Sequence, residues 1–120
     1  MRIKELSERT GVPARLLRYY EAQGLIRPQR EDNGYRDYDE VLVGRVRQIR
    51  ELLNSGLGTR MIKDVLPCLV EPQGDITFDD PEPDFIAALA RERDRMSERI
   101  ETLTRNRDAL ACYLEALARR

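Results

Sequence analysis

Apolar residues recur along this chain at the three-to-four spacing of helices that bury one face. Ile3 and Leu6 open a short helical run that stops at Thr10-Gly11, glycine being suited to the left-handed position after a helix. Pro13, tolerated at a helix start, begins a second helix over residues 13–23 that ends at Gly24. With about 100° of rotation per residue, Leu16, Leu17 and Tyr20 fall on the inward side of this helix. Ala14, Arg15, Arg18 and Ala22 share the outward arc, with Tyr19 just beyond it. Asn33-Gly34 then signals a tight hairpin turn, and Tyr35, Arg36 and Tyr38 alternate after it as a short strand does, so a small β-hairpin wing is expected. Asp39 caps a third helix with Leu42, Val46, Ile49 and Leu53 inward as far as Gly56, and Arg47 and Arg50 beside that stripe. A fourth helix opens near Thr59, turns Ile62, Val65, Leu66 and Leu69 inward, and is disturbed or ended by Pro67.

Residues 71–84 hold three prolines, six acids and no base, a composition that cannot continue a helix and predicts a linker or loop. Beyond it the rhythm changes to sevens. Leu89, Met96, Leu103, Leu110 and Leu117 repeat at heptad spacing, with Ile86, Arg93, Ile100, Arg107 and Leu114 three positions earlier. Nearly five heptads make a helix of about 50 Å, longer than the first part of the chain needs for its own packing. A coiled-coil dimer fits this seam better than one amphipathic helix folded back on its own head. The expected organisation is a head over residues 1–70, an acidic proline-containing linker over 71–84 and a dimerisation helix over 85–120.

Composition narrows the function. A chain of 120 residues has no room for a large enzyme scaffold, and 21 Lys+Arg against 22 Asp+Glu leave a formal net charge of −1. That near-neutrality conceals a split. In the first thirty residues Arg2, Lys4, Arg9, Arg15, Arg18, Arg27 and Arg30 face only Glu5, Glu8 and Glu21, a basic patch of the kind that follows phosphates. The absence of histidine and the presence of only two cysteines, Cys68 and Cys112, remove imidazole catalysis and the usual zinc sites within one chain. No acid–base or nucleophile constellation is visible, so no enzyme and no cofactor are expected. No apolar run spans a bilayer and nothing marks the N-terminus for secretion, so the expected location is cytoplasmic and no membrane partner is expected.

Helix, glycine turn and helix followed by a wing is an arrangement that reads DNA. An arginine on the second helix can donate two hydrogen bonds to guanine O6 and N7 in the major groove. Arg15 and Arg18 have the phase for this, and solvated surface charge is the alternative for each. Tyr19 reaches a phosphate through its hydroxyl in the same reading. Tyr35 and Arg36 of the wing are candidates for phosphate or minor-groove contact, and Lys4, Arg47 and Arg50 are weaker phosphate candidates. Tyr20 and Tyr38 read as packing residues.

These motifs resemble the MerR family of bacterial transcription regulators over essentially the whole chain. The resemblance is carried by Leu17-Arg18-Tyr19-Tyr20-Glu21 with Gly24-Leu25-Ile26-Arg27-Pro28, by Asn33-Gly34-Tyr35-Arg36-Asp37-Tyr38, by Ile49-Arg50 with Leu53 and Gly56-Leu57, and by the long C-terminal helix. It implies a mainly α fold, a winged helix-turn-helix head followed by an antiparallel coiled-coil homodimer on a two-fold operator. It also implies activation by bending and untwisting a promoter with an overlong spacer, with RNA polymerase met indirectly there. Carried over residue by residue, the family's recognition arginine falls on Arg18, its adjacent aromatic on Tyr19 and its wing arginine on Arg36. Its variable base-facing positions fall on Ala14 and Arg15, and its third-helix basic position on Arg50. Pro13 stands where many members have a capping Ser or Asn, and Leu16 where Thr or Ala is usual. Metal-sensing members carry cysteines near the positions of Glu82 and Leu117, and this chain has none there, so no metal is expected. A small-molecule effector is left open.

Two further readings stand beside this one. The long seam and acidic balance also fit a coiled-coil protein-interaction module, and oxidation of Cys68 or Cys112 would make a thiol-switched regulator. Packing is the plainer role for both thiols.

Overall fold

The computed structural model describes residues 1–70 and 75–120, and the part of the expected linker at 71–74 lies outside them. The chain divides into two compact units, Met1–Asp80 and Pro81–Arg120. The division falls inside the segment that composition marks as a linker.

The first unit is built from α1 (Ile3–Thr10), α2 (Ala14–Ala22), a two-stranded hairpin of β1 (Gln29–Arg30) and β2 (Arg36–Asp37), α3 (Val41–Asn54) and α4 (Thr59–Val65), followed by a 3₁₀ turn at Leu66–Cys68. Gly11 closes α1 at φ 75°, where a side chain would be strained, and its N–H donates to Ser7 O at 2.8 Å. Two hydroxyls reinforce the turn: Ser7 Oγ donates to Val12 O at 2.7 Å, and Thr10 Oγ1 donates to Leu6 O at 2.8 Å. Pro13 is the residue before α2 rather than its first, with extended backbone and its carbonyl already accepting from Leu16 and Leu17. Asp39 acts as expected at the start of α3, its Oδ1 accepting from Val41 N–H at 2.9 Å. Pro67 ends α4 by converting the continuing turn to 3₁₀ geometry.

The strands pair antiparallel, Gln29 opposite Asp37 and Arg30 opposite Arg36. The turn is longer than a two-residue loop. Gly34 N–H donates to Glu31 O and Glu31 N–H to Tyr35 O, both at 2.8 Å, with Gly34 at φ 85°. This places Asn33-Gly34 at the end of a turn over 31–34, and leaves Tyr35 in the loop instead of the strand.

The core of this unit joins Leu6 of α1, Leu17 and Tyr20 of α2, Tyr38 after the wing, Val46 and Ile49 of α3, and Ile62 and Val65 of α4, each essentially inaccessible. Burial of each such side chain contributes roughly 1.5–3 kcal/mol. Two details differ from the helical-wheel reading. Leu16 is only half-buried. On α3 the inward stripe turns toward Val43, Gly44, Gln48 and Leu52, so Leu42 and Leu53 flank it instead of lining it. The reason is breadth: α3 meets both α1 and α4, and a helix wedged between two neighbours buries a wider face than a single stripe. After the 3₁₀ turn, Val70 N–H donates to Thr77 O at 2.9 Å and Leu69 bridges antiparallel to Phe78, so residues 77–79 return alongside 68–70.

The second unit is α5 (Pro83–Ala118), whose 36 residues at about 1.5 Å each span roughly 54 Å. Pro83 opens it where a missing N–H costs nothing. Along the seam Leu89 and Met96 are half-buried, whereas Ile86, Ile100, Leu103, Leu110, Leu114 and Leu117 are each more than half exposed.

Candidate nucleic-acid interface

Arg18 on α2 and Tyr35 and Arg36 of the wing line one cleft of about 220 Å³, together with Ile3, Gly34 and Tyr38. Helix α2 and the wing therefore present Arg18 and Arg36 to a common space. Arg15, Arg18 and Tyr19 are exposed on the outward face of α2, Tyr19 at 46%, while Ala14 beside them is half-buried.

What holds the wing against α2 is a set of residues that no local pattern singles out. Glu21 reaches across from α2: its Oε2 accepts from Arg36 Nε at 3.0 Å and its Oε1 from the Tyr38 hydroxyl at 2.9 Å. Tyr38 is buried to 1% exposure, so this is an anchored hydrogen bond and not a surface contact. Burial first, and then the Glu21 carboxylate, push the Tyr38 hydroxyl up to about 12. Arg36 is thus held by Nε while its side chain remains about half exposed. Arg2 braces the outer side of the wing, donating to Arg36 O at 3.0 Å and to Glu31 Oε2 at 3.2 Å, with its guanidinium 5.0 Å from the Tyr35 ring centroid. The Met1 amine donates to Asp37 Oδ1 at 2.6 Å and to Tyr38 O at 2.8 Å. That hydrogen bond holds the amine above its usual range and the Asp37 carboxyl below its own.

The weaker candidates are spread more widely. Lys4 is exposed on α1, and Arg47 and Arg50 are exposed on α3, where Arg47 donates to Arg9 O at 3.3 Å and so also ties α3 to the end of α1. Glu21 and Arg2 brace the wing, a role that the sequence pattern did not show for either. Glu21 stands inside the Leu17–Glu21 motif, yet its partners lie 15 and 17 residues further on. Cys68 is half-buried, its Sγ donating to Asp64 O at 3.5 Å, and Cys112 is exposed on α5. No helix among the described residues is long and apolar enough to cross a membrane.

Comparison with known proteins fits this geometry. The transcriptional regulator HmrR of Rhizobium leguminosarum bv. viciae is 42% identical over 66 residues, which are 55% of this chain and 51% of that protein. The chain thus spans about half the length of that curated relative. Among solved structures, the lead(II) complex of the regulator PbrR691 from Ralstonia metallidurans CH34 superimposes with a TM-score of 0.69 at 27% identity, over 99% of this chain and 85% of that one. HiNmlR, a MerR family regulator lacking the sensor domain and solved on promoter DNA, shares the fold at a TM-score of 0.55 and 23% identity, over 94% of this chain and 86% of that one. The profile of the MerR HTH family of regulatory proteins matches residues 1–68, the segment that carries both the helix-turn-helix and the wing, and the chain belongs to that family.

Proposed function

We propose that this chain is a homodimeric, sequence-specific DNA-binding regulator of transcription. The observation that carries the reading is the shared cleft of Arg18, Tyr35 and Arg36, which aims recognition helix and wing at the same duplex. Arg18 reads a base edge from α2, with Ala14 and Arg15 at the neighbouring base-facing positions. Tyr19, Tyr35, Arg36, Lys4, Arg47 and Arg50 hold phosphates on either side. The family relative held on promoter DNA has this fold, which supports the assignment.

Dimerisation through α5 completes it. Isolated helices are marginal in water, and one exposing Ile100, Leu103, Leu110, Leu114 and Leu117 gains its stability by covering them with a second copy. Two heads at the ends of an antiparallel pair meet a two-fold operator, and bending and untwisting of the promoter between them delivers it to RNA polymerase. The site of action is the cytoplasm.

The test is operator binding by Arg18→Ala over a salt series. Loss of affinity with relaxed discrimination at one base pair of each half-site is expected, at about 1–3 kcal/mol. Unchanged affinity and specificity would remove Arg18 from the interface, and an absence of salt-dependent DNA binding would favour a protein-interaction module instead.

A further inference from the structure

Away from the Arg18 cleft, the head carries a second pocket of about 330 Å³ between the end of α2, α3 and α4. Its lining combines three cations, Arg27, Arg45 and Lys63, with apolar Leu25, Leu66 and Pro67, and with Gly24. Among the described residues none of the three cations forms an ion pair with a carboxylate; the bases that do are Met1, Arg2, Arg9, Arg36, Arg93, Arg95 and Arg107. Three like charges that line one concavity without an ion pair among the described residues favour an anion there.

The pocket is built rather than incidental. Arg45 is half-buried and pinned by a hydrogen bond from Nη1 to Leu66 O at 3.2 Å, which fixes its guanidinium at the pocket wall. Its burial also lowers its pKa, so a bound anion would recover favourable energy there. A β-carbon on residue 24 would come within 3.1 Å of Lys63 Nζ, so glycine at this position lets the ammonium lie against the backbone.

We propose that this pocket binds a small phosphate-bearing molecule, its phosphate held by Arg27, Arg45 and Lys63 and its organic part against Leu25, Leu66 and Pro67. Three cations match a dianion better than a single carboxylate, and guanidinium forks suit phosphate oxygens. The concavity and the apolar wall favour a small ester over the convex backbone of a duplex, and the volume is at the lower end of small-ligand sites. Because the segment from Gly24 to Arg27 leads directly from the recognition helix to the wing, occupancy would couple to DNA binding wherever the free and DNA-bound heads differ in pocket shape.

The test is titration of phenyl phosphate into the full, DNA-free protein, followed by amide and guanidinium nuclear magnetic resonance shifts. Saturable shifts confined to residues 24–27, 45 and 63–67 are expected. In the double variant Arg27→Gln with Lys63→Gln, both changes being at exposed positions, the affinity should fall about ten-fold or more with unchanged thermal unfolding. Absence of saturable shifts up to about 10 mM, or equal affinity in the double variant, would overturn the proposal. A drop of about one in the salt slope of DNA binding for Lys63→Gln, without ester binding, would give the pocket to the DNA backbone and overturn it as well.

Discussion

Glu21 offers the sharpest test of how the wing is held, because electrostatics and structure predict opposite effects of removing it. In Glu21→Ala the Tyr38 hydroxyl, buried at 1% exposure, loses the acceptor 2.9 Å away. Leaving a buried donor unpaired costs about 1–3 kcal/mol. The lost pairing with half-exposed Arg36 adds only about 0–1 kcal/mol, so the total is about 2 kcal/mol. Tyr38→Phe loses the same hydrogen bond but leaves Glu21, 22% exposed and still paired with Arg36, partly satisfied, at a cost of about 1 kcal/mol. In the double variant the unpaired hydroxyl is absent, so its loss should fall short of the sum of the single losses by about 1 kcal/mol. Urea unfolding at fixed protein concentration, followed by the near-ultraviolet tyrosine signal, measures all four corners of this cycle. DNA binding provides the second readout. Removing an anion from the helix proposed to face DNA should strengthen binding if charge alone decided, whereas release of Arg36 and the wing should weaken it. A cycle additive within about 0.3 kcal/mol, or an operator affinity that rises in Glu21→Ala, would refute the reasoning.

Other outcomes follow from the same geometry. Tyr38 releases its proton near 10 when unfolded and near 12 when folded, so between those values the unfolded chain binds fewer protons and stability falls as pH rises. The contribution is intact below pH 10, and the decline of roughly 2 kcal/mol by pH 12 should disappear in Tyr38→Phe, as read from unfolding midpoints across that range. The Tyr20 hydroxyl is buried with no hydrogen-bond partner among the described residues, so Tyr20→Phe should leave stability unchanged or raise it by about 1 kcal/mol; a loss greater than that would show that the hydroxyl is satisfied. Leu103→Glu together with Leu110→Glu places charges on the exposed seam and should convert the proposed dimer to monomers in sedimentation equilibrium, with persistence of a dimer counting against α5 as its interface. Leu6→Ala opens the core where α1 meets its neighbours, and a loss of about 2–5 kcal/mol is expected in unfolding experiments.

Much of this protein is legible in one dimension because its governing interactions are local. Gly11 after a helical run, a proline at a helix start and Asp39 before α3 act within a turn or two, where spacing alone states the geometry. The same locality makes Arg18 and Tyr19 readable as outward residues: the helix phase that buries Leu17 and Tyr20 leaves them no other side. The breadth of the buried face on α3 was not legible, since it depends on how many neighbours the helix meets, and Leu42 and Val43 exchange roles accordingly. Nor was the attachment of the wing, in which Arg2 meets residues 29 and 34 positions away and Glu21 meets Arg36 and Tyr38. Charged partners at such separations are indistinguishable in the sequence from the many other charges that never meet. The cationic pocket is of the same kind, since Arg27, Arg45 and Lys63 belong to different elements and share nothing in the sequence but their charge. Local backbone preference and periodic apolar spacing thus determined the helices and the turn after α1. The packing of those elements decided which charges share a cleft, because proximity between distant residues is a property of the folded chain alone.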